Sequence, residues 1–147
     1  MSEHRVTVRW ERKQHPQRSN TYDRNHEADF GHDLRLIVSA ASAYLGDATK
    51  ADPEQLLVNA LSSCHMLFFL AFAEGQGYTV SSYVDEAVGF VEKNDIGALW
   101  VSRIELHPKP VFGGDKQPDA ETLKKIHHKA HTSCFINNSV KSEVIIH

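Results

Sequence analysis

The sequence predicts an α+β fold of two layers, in which antiparallel strands pack around one long buried central helix and a second helix. Three features support this prediction: segments of alternating apolar and polar residues, an apolar segment in the middle of the chain, and an amphipathic helical pattern near its end. A chain of 147 residues has the length of one domain. We therefore expect a single domain over residues 1–147.

Three strands are predicted before the central helix. Residues 5–11 alternate strictly between polar and apolar side chains, and residues 34–38 repeat the pattern. Residues 22–30 are predicted to form a strand between them. On that strand Arg24 has the same parity as Ala28, which would place a guanidinium on an apolar face.

The central helix has a recognisable start. In Asp52-Pro53-Glu54-Gln55, Asp52 is suited to the N-cap and Pro53 to the first helical position. The helix is expected to run to about Glu74, before Gly75. Its apolar side chains point in every direction, so it needs cover on every side. Because the other elements supply little cover, we expect a homodimer in which the two central helices pack together.

The second half of the chain predicts a hairpin, a helix and a last strand. Residues 78–92 and 99–107 alternate and are joined by a short Asn/Asp/Gly loop. A break over 108–114 separates this hairpin from a helix that opens at Pro118. If that helix continues far enough, Cys134 falls on its apolar stripe.

Composition narrows the classes of function. The net charge of −3 gives no reason to expect nucleic acid or an anionic membrane as a partner. The charged first residues do not resemble a signal peptide, and the longest apolar run, 66–73, is too short to span a bilayer. Two cysteines exclude a disulfide scaffold and a four-cysteine zinc module. We expect a cytoplasmic protein, where free thiols are normal.

The two cysteines and one arginine are the candidate chemical groups. Cys64 lies at a polar break in the apolar helix, and polar residues also precede Cys134. A cysteine in such surroundings is often only a small buried apolar side chain, but a reactive thiolate would need a nearby cation. Arg24 is the best candidate, and Glu54 is the candidate carboxylate that a buried guanidinium requires. Alternatively, Arg24 is an ordinary strand arginine whose guanidinium reaches solvent, and Glu54 is an acid in the first helical turn that complements the helix dipole.

Helix geometry limits how these groups can meet. Glu54 and Cys64 are separated by about 15 Å along a straight helix and by roughly 80° around it. They therefore cannot touch within one subunit. Either Arg24 reaches between them, or a partner subunit delivers Arg24 and Glu54 to Cys64.

The central helix resembles the signature of the OsmC/Ohr family, the osmotically induced and organic hydroperoxide resistance proteins. The resemblance is carried by Asp52-Pro53-Glu54-Gln55-Leu56-Leu57 and by Ala60-Leu61-Ser62-Ser63-Cys64-His65-Met66. It implies a thiol-dependent peroxidase that works in oxidative stress defence as an intertwined homodimer, with no cofactor, metal or haem.

The resemblance also implies the roles of the site residues. Cys64 would attack the O–O bond of an organic hydroperoxide, release an alcohol and become a sulfenic acid. Cys134 would resolve it by an intramolecular disulfide, which a dithiol reductant, such as a lipoylated protein, would reduce. Arg24 would hold Cys64 as thiolate, and Glu54 would orient Arg24. Arg18 and Arg35 are the weaker alternatives for this arginine.

Two departures from the family pattern indicate an OsmC-like side branch. The second cysteine is followed by phenylalanine, in Cys134-Phe135-Ile136-Asn137, where the peroxidase branch has proline. The first cysteine lies in Ser62-Ser63-Cys64-His65, which replaces the small residues that usually lead to it in the family.

A metal site is the competing interpretation. His127 and His131 are four residues apart, with Cys134 one turn further on. That spacing can hold zinc, with His65 or Cys64 as a fourth ligand. A further alternative is a dimer that binds a small hydrophobic ligand, without peroxidase activity.

Overall fold

The computed structural model describes all 147 residues. The chain divides into two compact units, Met1–Leu56 and Leu57–His147. It contains two α-helices and mainly antiparallel strands, so the predicted α+β class is confirmed. The expectation of a single domain stays a prediction.

The first unit is built from short strands. They are β1 (Thr7–Arg9), β2 (Gln14–His15), β3 (Arg18–Tyr22), β4 (His26–Asp29) and β5 (Arg35–Val38). Strand β4 lies between β1 and β5 in one antiparallel sheet, while β2 and β3 form a separate antiparallel pair.

The prediction of one strand over residues 22–30 is wrong. Strand β3 ends at Tyr22, β4 begins at His26, and Arg24 lies in the connection between them. The side chain of Asp23 accepts a hydrogen bond of 3.0 Å from the backbone N–H of Asn25, which turns the chain here. Alternation of residue type does not reveal such a turn, because the local hydrogen bond replaces the pairing of a strand.

The first unit has almost no apolar interior of its own. Its buried apolar residues are Ala28 and Val38. Large apolar side chains such as Val8 and Leu34 are instead 63% and 62% exposed. A single copy of this unit therefore leaves much apolar surface in water.

Helix α1 (Pro53–Gly75) begins as predicted. The backbone N–H of Gln55 donates to Asp52 Oδ1 at 2.7 Å, and the backbone N–H of Asp52 donates to Gln55 Oε1 at 3.1 Å. This reciprocal pair is a capping box, which satisfies two backbone donors at the helix start.

Burial along α1 follows one stripe within a single chain. Leu61, His65, Phe69 and Ala73 are buried at intervals of four residues. Leu67, on the opposite side of the helix from Phe69, is 62% exposed. By length and composition α1 is apolar enough to cross a membrane, as the core helix of a soluble protein also is. The other faces of α1 are therefore not fully covered within a single chain.

The second unit contains five strands and helix α2. They are β6 (Thr79–Asp85), β7 (Val88–Lys93), β8 (Leu99–Leu106), β9 (Pro108–Gly113), α2 (Ala120–Ser133) and β10 (Glu143–Ile146). Strand β8 pairs antiparallel with β7 and parallel with β10, and β6 pairs antiparallel with β9.

Two predictions for this region need correction. Residues 78–92 form two strands rather than one, because the chain leaves β6 at Asp85 and enters β7 at Val88. Residues 108–114, predicted to be a break, contain β9. Proline is tolerated there because β6 and β9 form a two-stranded sheet in which each strand has an unpaired edge. The β7–β8 hairpin itself is confirmed.

The second unit has two apolar clusters. One contains Leu61, Ile104, Leu106 and Cys134. The other contains Phe69, Ala73, Ile126 and Ala130, so the buried stripe of α1 contributes to both. Helix α2 ends at Ser133, and Cys134 follows it in an extended conformation, so Cys134 reaches the core from just beyond the helix.

One glycine in the first unit permits a close backbone approach. A Cβ at Gly46 would lie 1.5 Å from the carbonyl oxygen of Ala40. Gly46→Ala is expected to lower the free energy of unfolding by about 3 kcal/mol or more, because the backbone must move to relieve the clash. A Cβ at Gly75 would meet nothing within 4 Å, so Gly75→Ala is the control, with a change within about 1 kcal/mol. Urea unfolding measures both, and equal midpoints would contradict the close approach.

Candidate active site

The structure brings the two cysteines together although seventy positions separate them in the sequence. Cys64, on α1, is partly exposed and packs against the cluster that contains the buried Cys134. Both thiols are free. They lie close enough for the Cys64 side chain to contribute to the raised pKa of the Cys134 thiol. Two neighbouring thiols of unequal exposure are therefore available for redox chemistry.

Cys134 is held in its protonated form. Burial is the main cause and the interaction with Cys64 a smaller one, and together they raise the pKa of the Cys134 thiol to about 11. The backbone N–H of Asn137, which donates to Cys134 Sγ at 3.3 Å, opposes the shift only in part. At neutral pH the Cys134 thiol therefore keeps its proton, and Cys64 is the more accessible of the pair.

The polar residues beside Cys64 have partners inside the second unit. Ser62 Oγ donates to Asp85 Oδ2 at 2.5 Å, and Asp85 Oδ1 accepts the backbone N–H of His107 at 2.7 Å. Asp85 thus ties α1 to the segment that follows β8. Asp85 is not among the site residues predicted from the sequence. It lies two positions after Tyr83, another half-buried residue of β6, so the alternation of the strand places both side chains on the same face and could have identified it.

His65 forms a buried pair with His127. His65 is 1% exposed, and its Nε2 lies 3.1 Å from His127 Nδ1. Burial, with lesser repulsion from His127 and His131, lowers the pKa of His65 to about 4. Burial also lowers the pKa of His127. Both imidazoles are therefore neutral at pH 7, and each neutral ring has one N–H donor and one acceptor nitrogen, so one ring can donate to the other.

The alternative metal cluster of His127, His131 and Cys134 is not assembled. In the whole chain, one set of three histidine, cysteine or carboxylate ligand atoms lies within 4.8 Å of one another, and it consists of Glu105, His107 and His147. His127, whose Nδ1 faces His65, does not converge with His131 and Cys134. A helical spacing of four residues shows that side chains share a face, but it does not set where their ligand atoms point.

The buried histidine predicts sensitivity to acid. Because the pKa of His65 is lower in the folded state than its usual 6.5, the unfolded chain binds more protons between pH 6.5 and 4. The free energy of unfolding should therefore fall as pH falls through this range, by roughly 2 kcal/mol from His65 at pH 4.5. Urea midpoints at pH 7 and 4.5 measure the loss.

The matched variants for this pH effect are His65→Leu and His128→Leu. His65→Leu should flatten the pH dependence, whereas replacement of the exposed His128 should leave it unchanged. An unaltered slope in His65→Leu would show that other groups control acid unfolding.

Arg24 lies beside an open pocket in the first unit. Its Nη1 donates to Thr21 Oγ1 at 2.9 Å and to the carbonyl oxygen of Tyr22, and its guanidinium lies 3.9 Å from the centroid of the Tyr22 ring. The pocket has a volume of about 480 Å³, and its apolar lining includes Val8 and Trp10. The guanidinium is therefore positioned at a cavity of ligand size.

Glu54 carries an unsatisfied carboxylate oxygen. It lies in the first turn of α1, and its Oε2 is buried without a hydrogen-bond partner. Within one chain Arg24 forms no ion pair with it, while Arg35 pairs with Glu27 and Asp29 at 3.9 and 3.7 Å. An orphaned carboxylate oxygen costs free energy until a donor reaches it. The roles expected of Arg24 and Glu54 stay predictions.

Known proteins share this architecture. Residues 46–147 match the family of OsmC-like proteins. An OsmC-like protein of unknown function from Vibrio cholerae is 41% identical, with a TM-score of 0.93 over 100% of this chain and 99% of its own. No curated protein sequence matches the chain.

Two structures of organic hydroperoxide resistance proteins share the fold at low identity. The OhrB protein of Bacillus subtilis is 19% identical, with a TM-score of 0.65 over 99% of this chain and 95% of its own. The protein from Elizabethkingia anophelis is 16% identical, with a TM-score of 0.71 over 99% of this chain and 93% of its own. The resemblance stated from the central-helix residues is thus confirmed: the chain belongs to the OsmC/Ohr family.

Proposed function

We propose that this protein is a thiol-dependent peroxidase that reduces organic hydroperoxides to alcohols in oxidative stress defence. The observation that carries the proposal is the pair of free, neighbouring thiols, Cys64 and Cys134, in one apolar cluster. Family membership supports it, since proteins of the same fold carry the name organic hydroperoxide resistance protein.

In the proposed first step, Cys64 attacks the terminal oxygen of the hydroperoxide ROOH as thiolate. The O–O bond breaks, the alcohol ROH leaves after taking up a proton, and Cys64 becomes a sulfenic acid. The sulfur loses two electrons, and the peroxide gains them. Exposure favours Cys64 for this step because Cys134 is wholly buried.

In the second step, Cys134 resolves the sulfenic acid. Its sulfur attacks Cys64, an S–S bond forms, and water leaves with the sulfenic oxygen. Because burial raises the pKa of Cys134 to about 11, this thiol is protonated in the reduced protein, and its proton leaves with the water formed in this step. An external dithiol, such as a lipoylated protein, then restores both thiols in the cytoplasm.

Apolar surroundings support a preference for organic substrates. The cluster that holds Cys134 also includes the partly buried side chains of Leu57, Cys64 and Phe68. An alkyl or aryl group gains free energy by leaving water for such a surface, at about 25 cal/mol per Å². Hydrogen peroxide has no group that can use this surface.

The proposal includes a homodimer. The first unit buries only Ala28 and Val38 among its apolar residues, while Leu67 on α1 is 62% exposed. A second copy of the chain would cover both surfaces, in keeping with closed two-fold assembly. In that dimer Arg24 and the unpaired oxygen of Glu54 would meet at Cys64, where Arg24 would stabilise the thiolate and the departing oxygen.

A turnover assay tests the proposed reaction. Untagged protein is mixed with cumene hydroperoxide or hydrogen peroxide and an excess of a dithiol, and loss of peroxide is followed. We expect catalytic consumption of the organic peroxide and much slower consumption of hydrogen peroxide. Failure to consume cumene hydroperoxide would defeat the proposal and favour a protein that binds a hydrophobic ligand.

Cys134→Ser separates the two steps. We expect this variant to consume about one equivalent of hydroperoxide and to accumulate Cys64 sulfenic acid, because the resolving thiol is missing. Trapping with dimedone followed by peptide mass spectrometry measures the product. Normal turnover by this variant with the same dithiol would show that Cys134 is not the resolving residue.

A further inference from the structure

A second cluster of potential ligands lies on β8 and just beyond β10, apart from the two thiols. Strands β8 and β10 are parallel, with Glu105 opposite Ile145 and Leu106 opposite Ile146. The next backbone bond, from His147 N–H to the Leu106 carbonyl oxygen at 3.0 Å, continues this register. His107 and His147 are therefore lateral neighbours.

The three side chains share one face of the sheet. Side chains along a strand alternate between faces, so Glu105 and His107 point away from the core that holds Ile104 and Leu106. On β10, Val144 and Ile146 pack into that same core. His147 thus joins Glu105 and His107 on the outer face.

The geometry points to a further site. We propose that Glu105, His107 and His147 bind one divalent transition-metal ion of the zinc class. The donor atoms already converge: Glu105 Oε2 lies 3.8 Å from His107 Nε2 and 3.4 Å from His147 Nε2. Ligand atoms around a tetrahedral zinc at its usual bond lengths are roughly 3.3 Å apart. The two imidazole rings are stacked, with centroids 4.4 Å apart, so binding requires the rings to rotate until both Nε2 atoms face the ion.

A neighbouring arginine orients the carboxylate. Arg103 Nε donates to Glu105 Oε1 at 2.8 Å, which leaves Oε2 directed at the two imidazoles. The guanidinium of Arg103 is itself held 4.1 Å from the centroid of the Phe90 ring. Such a fixed outer contact on a ligating carboxylate is typical of metal sites. Two imidazoles and one carboxylate are a common zinc donor set, which leaves a fourth position for water.

The bound ion would join β10 to β8. Because the three ligands come together only in the folded chain, the ion would stabilise the folded state. This inference does not depend on peroxidase activity, since neither Cys64 nor Cys134 takes part.

The test is Zn²⁺ binding by calorimetry on untagged, reduced protein. We expect one Zn²⁺ per chain, a thermal midpoint raised by Zn²⁺, and affinity at least about tenfold weaker in His107→Ala and in His147→Ala. His128→Ala, at an exposed histidine of α2, is the control and should bind as the wild type does. His147→Gln serves as a second variant if His147→Ala does not fold.

Three results would overturn the site. The first is no binding of Zn²⁺ by the wild-type protein, and the second is wild-type affinity for Zn²⁺ in either site variant. The third is a sulfur-to-metal charge-transfer band with Co²⁺ as a spectroscopic substitute, because that band would assign the ion to the cysteines.

Discussion

Cys64→Ser is expected to abolish reduction of organic hydroperoxides, with a loss of roughly a thousandfold or more in the rate of peroxide consumption. A serine hydroxyl is not ionised at neutral pH, and its oxygen cannot be oxidised to the equivalent of a sulfenic acid. The nearby thiol of Cys134 cannot take over. It is buried, and its pKa is raised to about 11, so it offers little thiolate to the substrate.

Ser63→Ala is the matched control for this loss. Ser63 precedes Cys64 on α1, and its hydroxyl makes only a long hydrogen bond of 3.4 Å to Asn59. This variant should keep the wild-type rate. If Cys64→Ser were nearly as active as Ser63→Ala, Cys64 would have no role in the mechanism. Circular dichroism of both variants checks that the fold is kept.

Leu67→Glu is expected to convert the proposed dimer to a monomer. Leu67 is 62% exposed in one chain and faces away from the buried stripe of α1. If a second α1 covers it, the substitution buries a carboxylate without a partner and weakens association by at least about 3 kcal/mol, or more than a hundredfold. Analytical ultracentrifugation should give twice the chain mass of 16.6 kDa for the wild type and the single mass for the variant.

Ile96→Glu provides the matched control for association. Ile96 is 88% exposed and lies in the turn between β7 and β8, where Asn94 Oδ1 accepts its backbone N–H at 3.1 Å. The same apolar-to-acid change at this loop should leave the dimer intact. A wild-type sample that sediments as a monomer, or a Leu67→Glu dimer of unchanged affinity, would contradict packing through α1.

Local signals predicted the helices better than the strands. The start of α1 was predictable because the side chains of Asp52 and Gln55, three positions apart, each accept a hydrogen bond from the backbone N–H of the other. Strand β9 was missed because Pro108 suggests a break, and nothing near it shows that β6 will supply a partner. Pairing between distant strands depends on tertiary packing, which periodicity along the chain does not contain.

The sequence singled out the two cysteines of the candidate site but did not predict the geometry that brings them together. Cys64 stood out as a polar break in an apolar helix, and the family signature paired it with Cys134. Their proximity could not be derived because it depends on how the segment after α2 enters the core. The alternative metal site fails for a similar reason, since the spacing of His127 and His131 does not show that His127 turns toward His65.

The most direct test of the central claim is a titration of the reduced protein with tert-butyl hydroperoxide. One equivalent per chain should remove both free thiols, yield one equivalent of tert-butanol, and give a peptide in which Cys64 is joined to Cys134. Retention of both thiols after this treatment, or their loss without that linkage, would contradict the assignment of the two cysteines as a peroxidatic and resolving pair.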